Sequence, residues 1–219
     1  LERDYHNVQF RVEGDNVTFD LGGHTLSSDS ASNLVVLESG YEGHGVVNGT
    51  LYGAPYGIGV YVASCVMESD VPLLNSQGIS YEQTIYDRCS SHPVVSNLTI
   101  TGFNDGVYVA PYVTGTEITN NTFSGVDNVP TYLDTGSRNA LVKGNVYSDN
   151  GWRAADSPFA RKREHIAVDA SYSNTIEANV FTDTTYKWAL FGGAANPSNY
   201  PAPMVSFYRN CGEGNSDWP

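Results

Sequence analysis

Short runs in which apolar and polar residues alternate, separated by turn residues, dominate this chain. In the clearest of them Leu98 and Ile100 alternate with Asn97, Thr99 and Thr101, and Phe103 closes the run. Asn104-Asp105-Gly106 then supplies turn chemistry, and Val107 and Val109 alternate with Tyr108 and Ala110. A period of two predicts a short strand on either side of a turn, each with one apolar face. The same unit recurs. Gly45–Gly53 is followed by Gly57–Val62, Thr116–Phe123 by Pro130–Leu133, Ala140–Tyr147 by His165–Val168, and Thr175–Phe181 by Trp188–Phe191. The large residue that closes each first strand falls at Leu51, Phe103, Phe123, Tyr147 and Phe181. One unit cannot bury its apolar face alone, but stacked copies can, and the gaps from 103 to 123 and from 123 to 147 suit one coil of a solenoid. The longer gaps predict two insertions, at 64–92 and 149–163. An Asn or Gly sits two or three places before most closing residues. Stacking would set Asn over Asn at a corner and allow a ladder of side-chain amides.

The repeats resemble the right-handed parallel β-helix of the pectin-lyase-like superfamily. Asn16-Val17-Thr18-Phe19-Asp20-Leu21-Gly22-Gly23-His24-Thr25-Leu26 is similar to the first coil common there, and the N-x-I-x-x-N-x-F repeats to its later coils. The resemblance covers most of residues 16–210. It implies an all-β fold, a right-handed parallel β-helix with two loop insertions, and a carbohydrate-active protein. It does not choose among the lyases, hydrolases, epimerases and inert scaffolds of the superfamily. Some polysaccharide hydrolases of the superfamily carry Gly-His-Gly near their catalytic carboxylates. Gly43-His44-Gly45 matches in those three letters only, without the accompanying Asp motifs. His24, after Gly22-Gly23, reads as a stacking corner histidine.

A chain of 219 residues is long enough for one substantial core, and it reads as a single domain over 1–219. Its net charge of −13, with no basic stripe, argues against nucleic acid. The acidity suits a secreted protein, and no apolar run is long enough for a membrane span. The chain starts at Leu1 without a signal-peptide core, so it reads as processed. Strand-like Met204–Tyr208 precedes an end with no capping element, so a further segment is expected to complete the C-terminal end. Of three cysteines, Cys65 and Cys89 flank the first insertion, and a bridge between them is preferred; Cys211 is the third. Asn16, Asn48, Asn97 and Asn120 each match N-x-[ST], and their place in the repeat reads them as ladder asparagines rather than glycan sites.

Six of the 11 Lys and Arg lie between 153 and 209, a concentration that composition does not explain. If Ile166 and Val168 face the core, alternation turns His165, Ala167 and Asp169 outward, as it turns Tyr108 outward between Val107 and Val109. Lys187 precedes the equivalent strand of the next coil and Arg209 closes the one after. These residues fit an enzyme that removes the proton beside a uronate carboxylate of an acidic polysaccharide, by β-elimination or C5 epimerisation. His165 is the candidate base, with Tyr108 or Lys187 as acid or alternative base. Arg163, Arg209 and Arg161 are the candidate carboxylate holders, and Trp152 a ring for stacking on sugar. Asp169 would orient His165 or help hold Ca²⁺, although no loop has EF-hand spacing. Two alternatives stand beside this reading. One is a glycoside hydrolase using Glu164 and Asp169, or Asp134 and Asp169, as paired carboxylates. The other is a carbohydrate-binding scaffold without catalysis.

Overall fold

The computed structural model describes residues 1–30, 32–66, 89–150, 164–182, 188–192, 205–208 and 211–212; for residue 164 and those beyond 182 it describes the backbone only. The described strands form two parallel sheets, one of thirteen strands and one of seven. Each regular coil contributes three strands. Glu117–Thr119 and Thr122–Ser124 lie in the larger sheet on either side of a corner, and Val129–Leu133 lies in the smaller. The next coil repeats this with Leu141–Lys143, Val146–Ser148 and Glu164–Val168, and the one after with Asn174–Glu177, Val180–Thr182 and Trp188–Gly192. Earlier in the chain the two limbs of the larger sheet run on as one strand. Gly45–Tyr52 pairs with Val94–Thr101 from Gly45↔Val94 to Tyr52↔Thr101.

The core is a set of columns of like residues. Leu51, Ile100, Phe123, Tyr147 and Phe181 are successive Cα partners, and all are fully buried. The rings of Phe123 and Tyr147 stack at 4.9 Å and those of Tyr147 and Phe181 at 5.0 Å. Phe103 does not belong to this column, which corrects the spacing inferred from sequence: Ile100 closes its strand. Phe103 lies past the strand end and its ring fills the space over Gly53, where an added Cβ would come within 1.9 Å of it. Only glycine accepts that approach. The coil steps are then 100 to 123 and 123 to 147.

The amide ladder exists, one residue along from the N-x-[ST] asparagines. Asn121, Asn145 and Asn179 are buried at the corner between the limbs. Asn145 Oδ1 accepts from the Asn121 backbone N–H at 2.9 Å and from its side-chain amide at 3.1 Å. Asn179 Oδ1 receives the equivalent pair from Asn145 at 2.9 and 3.0 Å. Each amide also donates to a backbone carbonyl, of Val95, Ile118 and Val142 in turn. Asn48, Asn97 and Asn120 form the column before it, exposed and left-handed at φ 61, 56 and 56°, and Gly144 continues it at 67°. Asn is selected there because it tolerates that backbone region. Asn97 and Asn48 make one amide contact at 3.4 Å.

Cys65 and Cys89 form a disulfide across a sequence separation of 24 residues, as preferred from their positions. Replacing both by serine should lower the unfolding free energy by about 3 kcal/mol through the freed loop, read from the denaturant midpoint. The side chain of Cys211 lies outside the described residues.

His44 is fully buried rather than presented to a groove. Its ring stands edge-on to Tyr41 and beside the carbonyls of Leu37 and Glu38, with neither nitrogen in full hydrogen-bond geometry. Burial, the largest effect, pushes its pKa below the ordinary imidazole value. The unfolded chain therefore binds a proton that the native state does not. Stability from this site is whole above about pH 6.5 and is lost as the pH falls through the lower native value. Denaturant titrations between pH 7.5 and 5 should show that loss, and His44→Gln should flatten it.

Candidate functional site

The outer face of the seven-stranded sheet gathers the reactive side chains. Its middle column runs Val36, Tyr61, Tyr108, Tyr132 and Ala167 as successive Cα partners. Val60, Val107 and Thr131 on one side and Val62, Val109 and Leu133 on the other are buried. Alternation therefore turns the three tyrosines outward, as expected for Tyr108. The Tyr61 and Tyr108 rings stack at 5.6 Å, 12° from parallel, whereas Tyr132 meets Tyr108 edge-on at 5.0 Å.

Two places further along, the column reads Glu38, Ala63, Ala110, Asp134 and Asp169, with adjacent acids at Asp134 and Asp169. Asp134 and Asp169 directly follow their strands, and each donates its backbone N–H to the preceding coil, at Val109 and Leu133. The Tyr108 hydroxyl donates to Asp134 Oδ2, one coil on. The Tyr132 hydroxyl donates to Asp169 Oδ2 at 3.0 Å, again one coil on. Ala167, next in the tyrosine column, is fully buried. The other oxygen of Asp134 accepts from the backbone N–H of Thr135 at 2.6 Å and its hydroxyl at 3.2 Å. Glu38 occupies that column at the far end of the face and pairs with Arg11.

Burial is the largest cause of a raised phenol pKa at all three tyrosines. The hydrogen bond to Asp134 and its charge add to this at Tyr108; the charge of Asp134 and the bond to Asp169 add to it at Tyr132. Both phenols stay protonated at neutral pH and act as donors. Among the described residues no three His, Cys, Asp or Glu side chains converge as a metal-binding group.

His165 does not join this face, which corrects the outward placement expected from alternation. It is 0% exposed, and its ring lies against those of Tyr147 and Phe181 at 5.7 and 5.5 Å. Its Nδ1 lies 3.5 Å from the Asn150 amide. Alternation governs the middle of a strand. His165 sits near the start, at a corner where the aromatic column of the other sheet fills the space behind it. A ring enclosed there is not a base for an outer-face substrate. Asp169 is on the face. Lys187, Arg161, Arg163, Arg209 and Trp152 lie outside the described residues. The strand before Arg209, Val205–Tyr208, pairs with Asn174–Glu177 in the larger sheet, so it is not the equivalent of Trp188–Gly192 expected from sequence. Tyr61 and Glu38 are missing from the candidates drawn from sequence, and Tyr132 enters them only through the run Pro130–Leu133. The signal for the tyrosines is their shared place in Gly-Val-Tyr-Val, Gly-Val-Tyr-Val and Pro-Thr-Tyr-Leu at 59–62, 106–109 and 130–133; Glu38 carries no such signal.

Residues 33–200 match the family model of the right-handed β-helix region. The chain belongs to the right-handed β-helix family. The resemblance drawn from its repeats holds for the fold. A search of curated proteins gave no match. Among solved structures, this β-helix is similar to an alginate lyase from Paenibacillus sp. str. FPU-7, at 10% identity and a TM-score of 0.43, over 87% of this chain and 70% of that one. It is also similar to the enzymatically active domain of tailspike protein 2 from bacteriophage CBA120, at 12% identity and a TM-score of 0.43. That match covers 96% of this chain but 38% of the tailspike chain.

Proposed function

We propose that this β-helix is a secreted carbohydrate-active enzyme that binds a polysaccharide across the outer face of its seven-stranded sheet and cleaves it with Asp134 and Asp169. The observation that carries the reading is the pair of tyrosine–aspartate hydrogen bonds on successive coils, Tyr108 to Asp134 and Tyr132 to Asp169. Successive coils are about 4.8 Å apart, close to the roughly 5–5.5 Å between the carboxyls of a retaining glycosidase. Asp134, immobilised by three donors, serves as nucleophile at the anomeric carbon. Asp169 protonates the leaving oxygen and then draws the proton from the attacking water. The tyrosine rings offer apolar faces to sugar, and their protonated hydroxyls fix the carboxylates. The disulfide supports an oxidising compartment.

Elimination or epimerisation on a uronate polymer is the second reading, favoured by one observation. The strands Glu164–Val168 and Trp188–Gly192 of this sheet begin directly after Arg163 and Lys187. In that reading Tyr108 and Lys187 move the protons, Arg161 and Arg163 neutralise the carboxylate, with or without Ca²⁺, and Trp152 stacks on the sugar; Arg209, which follows a strand of the larger sheet, has no part in it. His165 has no part in it.

A panel of neutral and uronic polysaccharides separates the two. New reducing ends without ultraviolet absorbance support hydrolysis by the aspartates. Absorbance from an unsaturated sugar assigns the face to elimination. Neither signal from any polymer, with binding retained and the uronate composition of the polymer unchanged, overturns the enzymatic reading in favour of a scaffold.

A further inference from the structure

A second face of the coil differs in chemistry from the rest of the molecule. Thr25–Ser27, Thr50–Tyr52, Thr99–Thr101, Thr122–Ser124, Val146–Ser148 and Val180–Thr182 stack in register as one limb of the larger sheet. The middle residue of each is buried, and the two beside it point away from the core. Those outward positions hold six threonines, three serines, one tyrosine and two valines, and no charged residue. The other faces are charged, with Asp134 and Asp169 on the smaller sheet and Asp20, Glu117, Lys143 and Glu177 on the other limb. Among the described residues charge returns at the margins, with Asp4 and His6 at the N-terminal edge and Asp29 and Asp149 on the turns. Strand spacing of about 4.8 Å and a same-face repeat of about 6.6 Å make the side chains a rectangular net of hydroxyls. Tyr52 is 55% exposed on the net, and Tyr56, in the turn that follows, is 78% exposed.

We propose that this face is a second carbohydrate-contact surface, separate from the Asp134 face, which docks on an uncharged insoluble polysaccharide of the cellulose or chitin type. Charge complementarity selects that partner. A chain of net charge −13 repels polyanions, and a cationic partner finds no carboxylate here. A neutral glycan leaves no ion to be desolvated. Its hydroxyls match rows that both donate and accept, and its apolar ring faces suit Tyr52 and Tyr56.

The test mixes the protein with microcrystalline cellulose and with chitin powder and measures what stays in solution. The wild type should be retained on at least one solid. Tyr52→Ala and Thr99→Glu should each bind about tenfold more weakly, while Thr99→Ser binds as the wild type and all three keep its melting temperature. Asp134→Asn should be retained in full; its loss would move the contact to the smaller sheet and overturn the proposal. Failure of the wild type on both solids, or unchanged binding by Thr99→Glu, also overturns it. A net of hydroxyls and methyls also suits ordered water. Freezing hysteresis without retention on either solid would assign the face to ice and overturn the polysaccharide.

Discussion

Asp134→Asn should lower kcat by about 10²–10⁴-fold on whichever polysaccharide proves to be the substrate, with the folded state intact. The substitution keeps the volume and an oxygen to accept from Tyr108 or Thr135, so the Tyr108 ring and the coil around it keep their places. The negative charge is lost, and with it a nucleophile and the anion that a developing oxocarbenium ion needs. Asp169→Asn should do comparable damage through the leaving group, and a substrate with a good leaving group should recover part of it. Tyr108→Phe should be milder, about tenfold, because Thr135 still holds one oxygen of Asp134. Tyr61→Phe is the control: its ring stacks on Tyr108, so KM and kcat should both stay near wild type. Steady-state kinetics on purified variants with matched melting curves decides this. An Asp134→Asn enzyme of wild-type kcat would remove the aspartate pair from the mechanism.

Asn145→Ala should be the most destabilising single change in the described core, by about 3–5 kcal/mol. Alanine would leave four buried groups short of a partner: the Ile118 carbonyl, Asn179 Oδ1, and the Asn121 backbone and side-chain amides. Each such loss costs about 1–3 kcal/mol, and losses within one network do not add in full. Asn145→Asp should be no kinder, since it removes the donors and buries a charge. Asn120→Ala, one column outward, should cost only about 1 kcal/mol, the strain of alanine in the left-handed region. The contrast, read from denaturant midpoints, tests whether the buried column rather than the exposed one holds the corner.

The stacking was legible because its signals are local. Alternation around Leu98 and Ile100 and an Asn two places before Phe123, Tyr147 and Phe181 survive in the structure; the turn comes earlier than expected, at Gly102–Asn104, and Asp105 and Gly106 already belong to the strand Asp105–Val109. What was misread depends on a partner far away in sequence. Nothing near Phe103 says that Gly53 has left room for its ring, so it passed for a strand-closing residue. His165 was turned the wrong way because the aromatic wall behind it comes from Tyr147 and Phe181, on the other sheet. The site was half legible. Tyr108, Asp134 and Asp169 were each in view, but their pairing across coils follows from register, which alternation alone does not supply.

The longest strand pairing of the molecule, Gly45–Tyr52 against Val94–Thr101, joins residues about fifty positions apart, with the whole first excursion between them. Ile58–Val62 and Asp105–Val109 pair across the same excursion, and every other described strand pairing is shorter in sequence. Ring closure over that span carries the largest entropic cost of any step in stacking the described coils. It is met where the ladder is unbroken across the corner and where a disulfide shortens the effective loop. The zipper is therefore stitched most firmly where the thread wanders farthest. The rate at which this seam closes, with Cys65 and Cys89 oxidised or reduced, should set the folding time of the solenoid.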